Sequence, residues 1–160
     1  LIAYQYSIVL VKIVSLSDCP SNYSIMRHII SYVSTVNPLI SNSDITDLFD
    51  YISVHNNVLE ITGILIYSDG NFFQVLEGER QIIKKMFEKI LKDSRHYNII
   101  KMLDKEIKDG SFSKYYSSFV VISEDNSHME LQKFLEKEKI QNPEHFKTIS
   151  YLTQKFMKLS

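Results

Sequence analysis

Three polar side chains stand where apolar ones would be expected: Tyr32 inside the β-branched stretch HIISYVS, Asn56 at the end of an amphipathic segment, and Gln74 in the middle of FFQVLEG. Period-two alternation puts Gln74 on the strand face opposite Phe73 and Val75. A carboxamide buried there must find partners for two donors and an acceptor or pay for their desolvation, so an interior Gln74 implies a polar companion from the protein or from a ligand. The bland alternatives are a strand tyrosine with its hydroxyl in water and a glutamine on an exposed strand position. Signatures of common catalysis are missing: no phosphate-cradling Gly-rich loop, no HExxH and no GxSxG, in a chain with only four glycines. The five histidines, at 28, 55, 96, 128 and 145, lack metal-ligand spacing, so no metal site is expected.

The elements that must position these groups read as follows. Residues 28–34 form a first strand, ending before the turn signal Asn37-Pro38. Asn42, Ser43 and Asp44 offer N-cap chemistry for a helix over roughly 44–57 whose Ile45, Leu48, Phe49 and Ile52 recur at helical spacing. ITGILIY (61–67) and FFQVLEG (72–78) flank Ser68-Asp69-Gly70-Asn71, a strong hairpin signal. Between Glu79 and Asp93, the stripe Ile83, Met86, Phe87, Ile90 and Leu91 marks a second amphipathic helix. Strands near 99–107 and 115–122 complete an α+β, ferredoxin-like β-α-β-β-α-β-β order. Such a sheet carries both helices on one face, with a groove between them, and leaves the other face to be covered. A helical tail over 123–160 is expected to cover it, with Met129, Leu131, Phe134 and Leu135 on one helix and Phe146, Ile149, Leu152 and Phe156 on another beyond Asn142-Pro143.

The 160 residues suit one compact domain with an appendage, and 44% hydrophobic and 23% charged residues are ordinary for a globular protein. A formal net charge of −1 gives no basic field for nucleic acid or an anionic membrane, so neither partner is expected. The single cysteine, Cys19, excludes an intramolecular disulfide and fits a reducing, cytoplasmic setting. Residues 1–25 read as an extension: the apolar run Ser7–Val14 is too short to span a bilayer and lacks a basic n-region, and the domain proper is expected to start at Met26.

Taken together, SYVS, HNNVLEITGILIYSDGNFFQVLEGE and KDSRHYN resemble the BLUF (blue-light-using-flavin) domain, from about Met26 to Val121. That family's pattern is a first-strand tyrosine, an Asn before ITG, and F-x-Q-x-L-E-G. The resemblance implies a blue-light photoreceptor, not an enzyme, holding FAD or else FMN between its two helices. In it, Tyr32 matches the photoactive electron and proton donor, Gln74 the glutamine between that tyrosine and the flavin, and Asn56 the asparagine on the flavin's pyrimidine edge. Ser34, Leu48, Phe72 and Ile90 fall at cofactor-binding positions, and His55, Lys89, Asp93, Arg95 and His96 at polar positions around the ring edge and side chain. For Lys89 and Arg95, a solvated helix end is the competing reading. Tyr115 and Ser117 stand at signal-relay positions where many family members carry Trp and Met, and this chain has no Trp. Glu77 and Gly78 are expected to be structural. The resemblance further implies an unidentified downstream partner, and exposed sheet and tail helices point to a homodimer. Two other functions compete: a small ferredoxin-like acyl-phosphate hydrolase using Arg95 or Lys89, and the sensor fragment of a light-regulated cyclase or phosphodiesterase.

Overall fold

The computed structural model describes residues 26–107, 119–122, 127–141, 143, 146–147 and 150–154. In chain order the elements are β1 (Arg27–Val36), α1 (Asn42–Val58), β2 (Thr62–Ser68), β3 (Asn71–Glu79), α2 (Arg80–Ile90), β4 (His96–Ile107), β5 (Val120–Ile122) and α3 (Ser127–Gln141). The five strands form one sheet in the order β4-β1-β3-β2-β5. Every pairing is antiparallel except the parallel one between β2 and β5. This is the ferredoxin-like order with an added edge strand, as the alternation of elements implied.

Local chemistry explains the element boundaries. The helix α1 begins at Asn42, two residues before the expected start: Ser41 is the N-cap, its hydroxyl accepting from the Asp44 amide while the Asp44 carboxylate accepts from the Ser41 amide. This reciprocal box satisfies two end donors at once, which Asn42 or Ser43 as cap would not achieve. The β2–β3 hairpin turns at Asp69 (φ 49°) and Gly70 (φ 71°), the left-handed pair of a type I′ turn. In β2, Gly63 sits at φ 139°, and a Cβ there would lie 2.0 Å from the Val75 carbonyl oxygen, so the ITG glycine is required by the approach of β3. The helix α2 ends at Ile90 rather than near Asp93, and Leu91 is exposed instead of continuing the apolar stripe. At that point the chain turns toward β4, which begins at His96, earlier than its apolar residues suggested.

The sheet buries both faces. One face and the two helices enclose Ile30, Leu65, Leu76, Ile45, Leu48 and Ile83. The opposite face carries Ile29, Ile64, Ile66, Phe73 and Val75, and against it pack Leu135 of α3 and Leu152 of the helical residues 150–154. The tail therefore contacts the sheet on the side away from α1 and α2. Glu77, fully buried, is ion-paired to Arg27 at 3.3 Å, and Gly78 packs under Ile83, so both belong to the framework. The expected extension over 1–25, the start of the last strand with Tyr115 and Ser117, and Ile149 and Phe156 lie outside the described residues. Among the described residues no helix is long and apolar enough to cross a membrane.

Candidate functional site

Tyr32 and Gln74 are directly opposite residues of the antiparallel β1–β3 pair. Opposite residues project to the same face with Cβ atoms about 5 Å apart, so register alone brings a phenol and a carboxamide together. Both are 3% exposed, and the Tyr32 hydroxyl donates to Gln74 Oε1 at 2.5 Å. Burial, with the Asp93 carboxylate adding to it, pushes the Tyr32 phenol far above its ordinary range. The hydroxyl is therefore protonated at any physiological pH and must donate. Phe87 tilts against its ring at 5.6 Å between centroids.

The pair forms the floor of a cleft between α1 and α2, about 830 Å³ counting its open mouth. That size suits a ring-system ligand. Leu48 and Ile52 of α1, Phe72 of β3 and Ile90 of α2 are apolar walls, with Leu65 and Leu76 beneath. Asn56, from the last turn of α1, is 3% exposed and also lines the cleft. Its backbone carbonyl accepts from the Ile61 amide at 2.9 Å, which fixes the residue just before the ITG glycine. Among the described residues the Asn56 carboxamide and the Gln74 NH₂ have no protein partner, so two amides retain unused donors and acceptors inside an otherwise apolar slot. That donor and acceptor set fits the polar edge of a flavin ring, while the apolar walls fit its faces.

The mouth is polar. His55, Lys89, Asp93, Arg95 and His96 all line it. Asp93 grips Arg95 through the Arg95 amide at 3.0 Å and its guanidinium at 2.9 Å and 2.5 Å. Partial burial works against the Asp93 carboxylate, but these bonds outweigh it and hold the group below its usual range. His96 donates from Nε2 to the Ile90 carbonyl at 3.0 Å, so its Nδ1 accepts from the Ser34 hydroxyl at 2.8 Å. Burial keeps His96 neutral by lowering its pKa, with Arg95 assisting, against the opposing pull of the Ile90 carbonyl and Asp93. Burial and then Lys89 likewise lower His55.

Of the twelve expected cofactor-binding residues, Ser34 is the one that does not wall the cleft; it stands behind His96 and fixes that ring's orientation. Sequence reasoning missed Tyr51, Ile52, Leu65, Leu76 and Met86 as lining residues. Ile52, Leu65, Leu76 and Met86 carried a visible signal, since they share the helix-ward face with Leu48, Gln74 and Ile90 by periodicity. Asn57 was missed as well: its side-chain oxygen accepts from the Phe119 amide at 3.1 Å, tying α1 to the approach of β5. Among the described residues no cluster of His, Cys, Asp or Glu could hold a metal ion.

The family model for sensors of blue light using FAD matches residues 27–118. The chain is similar to the blue light- and temperature-regulated antirepressor BluF of Escherichia coli, 43% identical over 44 residues, which are 28% of this chain and 11% of that protein. It is also similar to the photoactivated adenylate cyclase subunit beta of Euglena longa, 31% identical over 71 residues, 44% of this chain and 8% of that one. The matches thus span about a tenth of the length of these curated relatives. Among solved structures, the photo-activated state of BlsA superposes with a TM-score of 0.54 at 32% identity, covering 74% of this chain and 84% of that one. A bacterial light-regulated adenylyl cyclase superposes with a TM-score of 0.54 at 27% identity, covering 84% of this chain and 36% of that one. With a buried phenol–carboxamide pair under a flavin-sized cleft and a family match over most of the described fold, the chain belongs to the BLUF family of flavin-binding blue-light sensors.

Proposed function

We propose that Tyr32 and Gln74 are the photoactive pair of this sensor and that the cleft between α1 and α2 holds FAD. The single observation that carries the reading is the buried Tyr32–Gln74 hydrogen bond on the floor of that cleft. In this arrangement Asn56 holds the polar edge of the ring, Leu48, Phe72 and Ile90 grip its faces, and His55, Lys89, Asp93, Arg95 and His96 surround its outer edge and side chain, with Ser34 acting through His96. Bound flavin supplies absorption of blue light and, once excited, the pull for an electron.

The chain's own residues do the rest. Tyr32 is the oxidisable group, and its phenol becomes strongly acidic only when an electron is withdrawn, so electron loss and proton loss are coupled in time. The proton's first acceptor is Gln74 Oε1, already bonded to it at 2.5 Å. A carboxamide carries an acceptor and a donor on one carbon, so rotation or tautomerisation of Gln74 exchanges which group faces Tyr32 without moving the backbone. Each exchanged hydrogen bond is worth about 1 kcal/mol net, which supports a lit state that decays spontaneously.

Gln74 is placed to report this change. It pairs with Leu65 across β3–β2, and Leu65 pairs with Val121 across β2–β5, so one cross-sheet row links the amide to the edge strand beside α3. We read the tail helices as the output surface, passing the state to an effector or across a homodimer, with Tyr115 and Ser117 modulating the relay. Arg95, held in the fork with Asp93, is poorly placed to serve as the phosphate-binding group of an acyl-phosphate hydrolase. Absorption spectra of the FAD-loaded chain before and after blue illumination test the proposal: a small reversible red shift is expected, and a Gln74→Leu variant that photocycles like the parent would overturn it.

A further inference from the structure

A group of charged side chains outside the cleft approaches the Tyr32 ring from behind. In the β1–β4 pair Ser31 stands opposite Leu103, so an unbroken register would put Met102 opposite Tyr32; the register shifts there by one residue and Lys101 takes that place. A bulge of this kind re-aims a side chain, and opposite residues project to the same sheet face, so Lys101 shares the helix-ward side with Tyr32. Its ammonium lies over the Phe87 ring, 5.7 Å from the centroid, and Phe87 in turn tilts against Tyr32 with 5.6 Å between centroids. Asp104 holds the ammonium there, accepting from Lys101 at 2.6 Å, from Lys84 of α2 at 2.7 Å and from Nε2 of the buried His28 at 2.5 Å. The bonds from Lys101 and then Lys84 keep the Asp104 carboxyl far below its usual range, so it is a fixed negative charge between two ammonium groups. None of His28, Lys84, Lys101 and Asp104 lines the cleft.

An electron leaving Tyr32 for the bound flavin puts positive charge on the phenol until its proton has moved to Gln74 Oε1. A cation close behind the ring opposes that charge, and a carboxylate favours it. We propose that Lys101 is a charge-positioning residue of the photoreaction: its ammonium, fixed on Phe87 by Asp104, holds back the electron loss of Tyr32, and Asp104 limits the restraint. This inference rests on the reading of Tyr32 as the electron donor and adds to it residues from outside the flavin site. The other titratable groups that face Tyr32 do so from the mouth of the cleft: the Asp93 carboxylate, forked to Arg95, and the neutral His96 ring, 6.1 Å away between centroids. The Lys101 side chain is 45% exposed and lies beside Asp104, so its field is screened and its effect on the rate is about twofold rather than orders of magnitude.

Two measurements on the full chain test the proposal. In the flavin-loaded protein the fluorescence lifetime of the excited flavin follows the rate of electron loss from Tyr32. Lys101→Met is expected to shorten it about twofold and Asp104→Asn to lengthen it about twofold, with Lys101→Arg close to the parent. In a Tyr32→Phe background both shifts vanish. The second measurement uses the flavin-free protein carrying a multiply fluorinated tyrosine at position 32, whose phenol is more acidic than that of tyrosine. There Lys101→Met lowers the phenol's acid constant about twofold and Asp104→Asn raises it about twofold, because a nearby cation favours phenolate. Opposite signs are the signature of charge, since lost packing or a loosened α2 would move both variants the same way. Both variants shifting the lifetime in one direction, or a fluorophenol titration that neither moves, would overturn the inference and leave the photochemical reading intact. A Tyr32→Phe lifetime equal to the parent's would overturn both.

Discussion

Replacing Gln74 by leucine keeps the side chain's approximate volume and takes away the acceptor of the Tyr32 hydroxyl. That hydroxyl bonds to Gln74 Oε1 inside a site where both residues are 3% exposed. A buried hydroxyl left without a partner costs about 1–3 kcal/mol. For a chain of this size each kcal/mol moves the melting temperature by about 2–4 °C, so a loss of about 2–12 °C is expected. Tyr32→Phe strands the other half of the bond, leaving the Gln74 carbonyl oxygen unanswered at a similar cost. The two losses overlap because they remove one interaction. The double variant is therefore expected to lose about 1–2 kcal/mol less than the sum of the two single losses, inside the range of about 0.5–3 kcal/mol found for residues in contact. Urea denaturation of the four flavin-free proteins in the dark gives each stability and hence the coupling. If the single losses simply add, to within about 0.5 kcal/mol, the bond contributes nothing as a pair and the reasoning fails.

Other expectations follow from the same geometry. Gly63→Ala is expected to abolish folding or to cost more than about 4 kcal/mol, because its Cβ would meet the Val75 carbonyl oxygen at 2.0 Å, whereas Gly70→Ala at the open turn should cost much less; soluble yield and melting temperature distinguish them. His96 and His55 both have pKa values lowered from 6.5 in the fold, chiefly by burial. The unfolded chain therefore takes up protons first, and stability present above pH 6.5 should fall as pH drops through the interval below it; His96→Gln should flatten that slope in melting curves taken from pH 7.5 to 5. If Ser117 takes part in the proposed relay, Ser117→Met should change the rate of dark recovery after illumination, and an unchanged rate would count against a relay role there.

Much of this was legible because the informative residues sit inside regular elements. The Asp69-Gly70 turn fixed the β2–β3 hairpin, and alternation along FFQVLEG separated Gln74 from Phe73 and Val75, which the fold places on opposite sheet faces. What neither periodicity nor composition could supply was the register between β1 and β3, a long-range fact that makes Tyr32 and Gln74 partners and decides against a solvent-facing tyrosine. Ser41 escaped notice as the cap because the three polar residues after it offer the same chemistry, and only the reciprocal bond with Asp44 chooses among them. Ser34 was placed among the cofactor-binding positions by resemblance alone; what the sequence could not supply is that the approach of β4 puts His96 beside it. Tyr51 was not singled out, and nothing in the amino-acid order alone indicates that its ring lies over His55 at a cleft mouth.

The decisive measurement for the photochemical account is the light-minus-dark infrared difference spectrum of the FAD-loaded protein, prepared once with ring-labelled tyrosine and once with amide-labelled glutamine. Bands that shift with each label, and tyrosine bands that vanish in Tyr32→Phe, are the expected result, since both ends of one hydrogen bond must change on illumination. A lit state of normal yield whose difference spectrum is insensitive to both labels would show that the phenol and the carboxamide are bystanders.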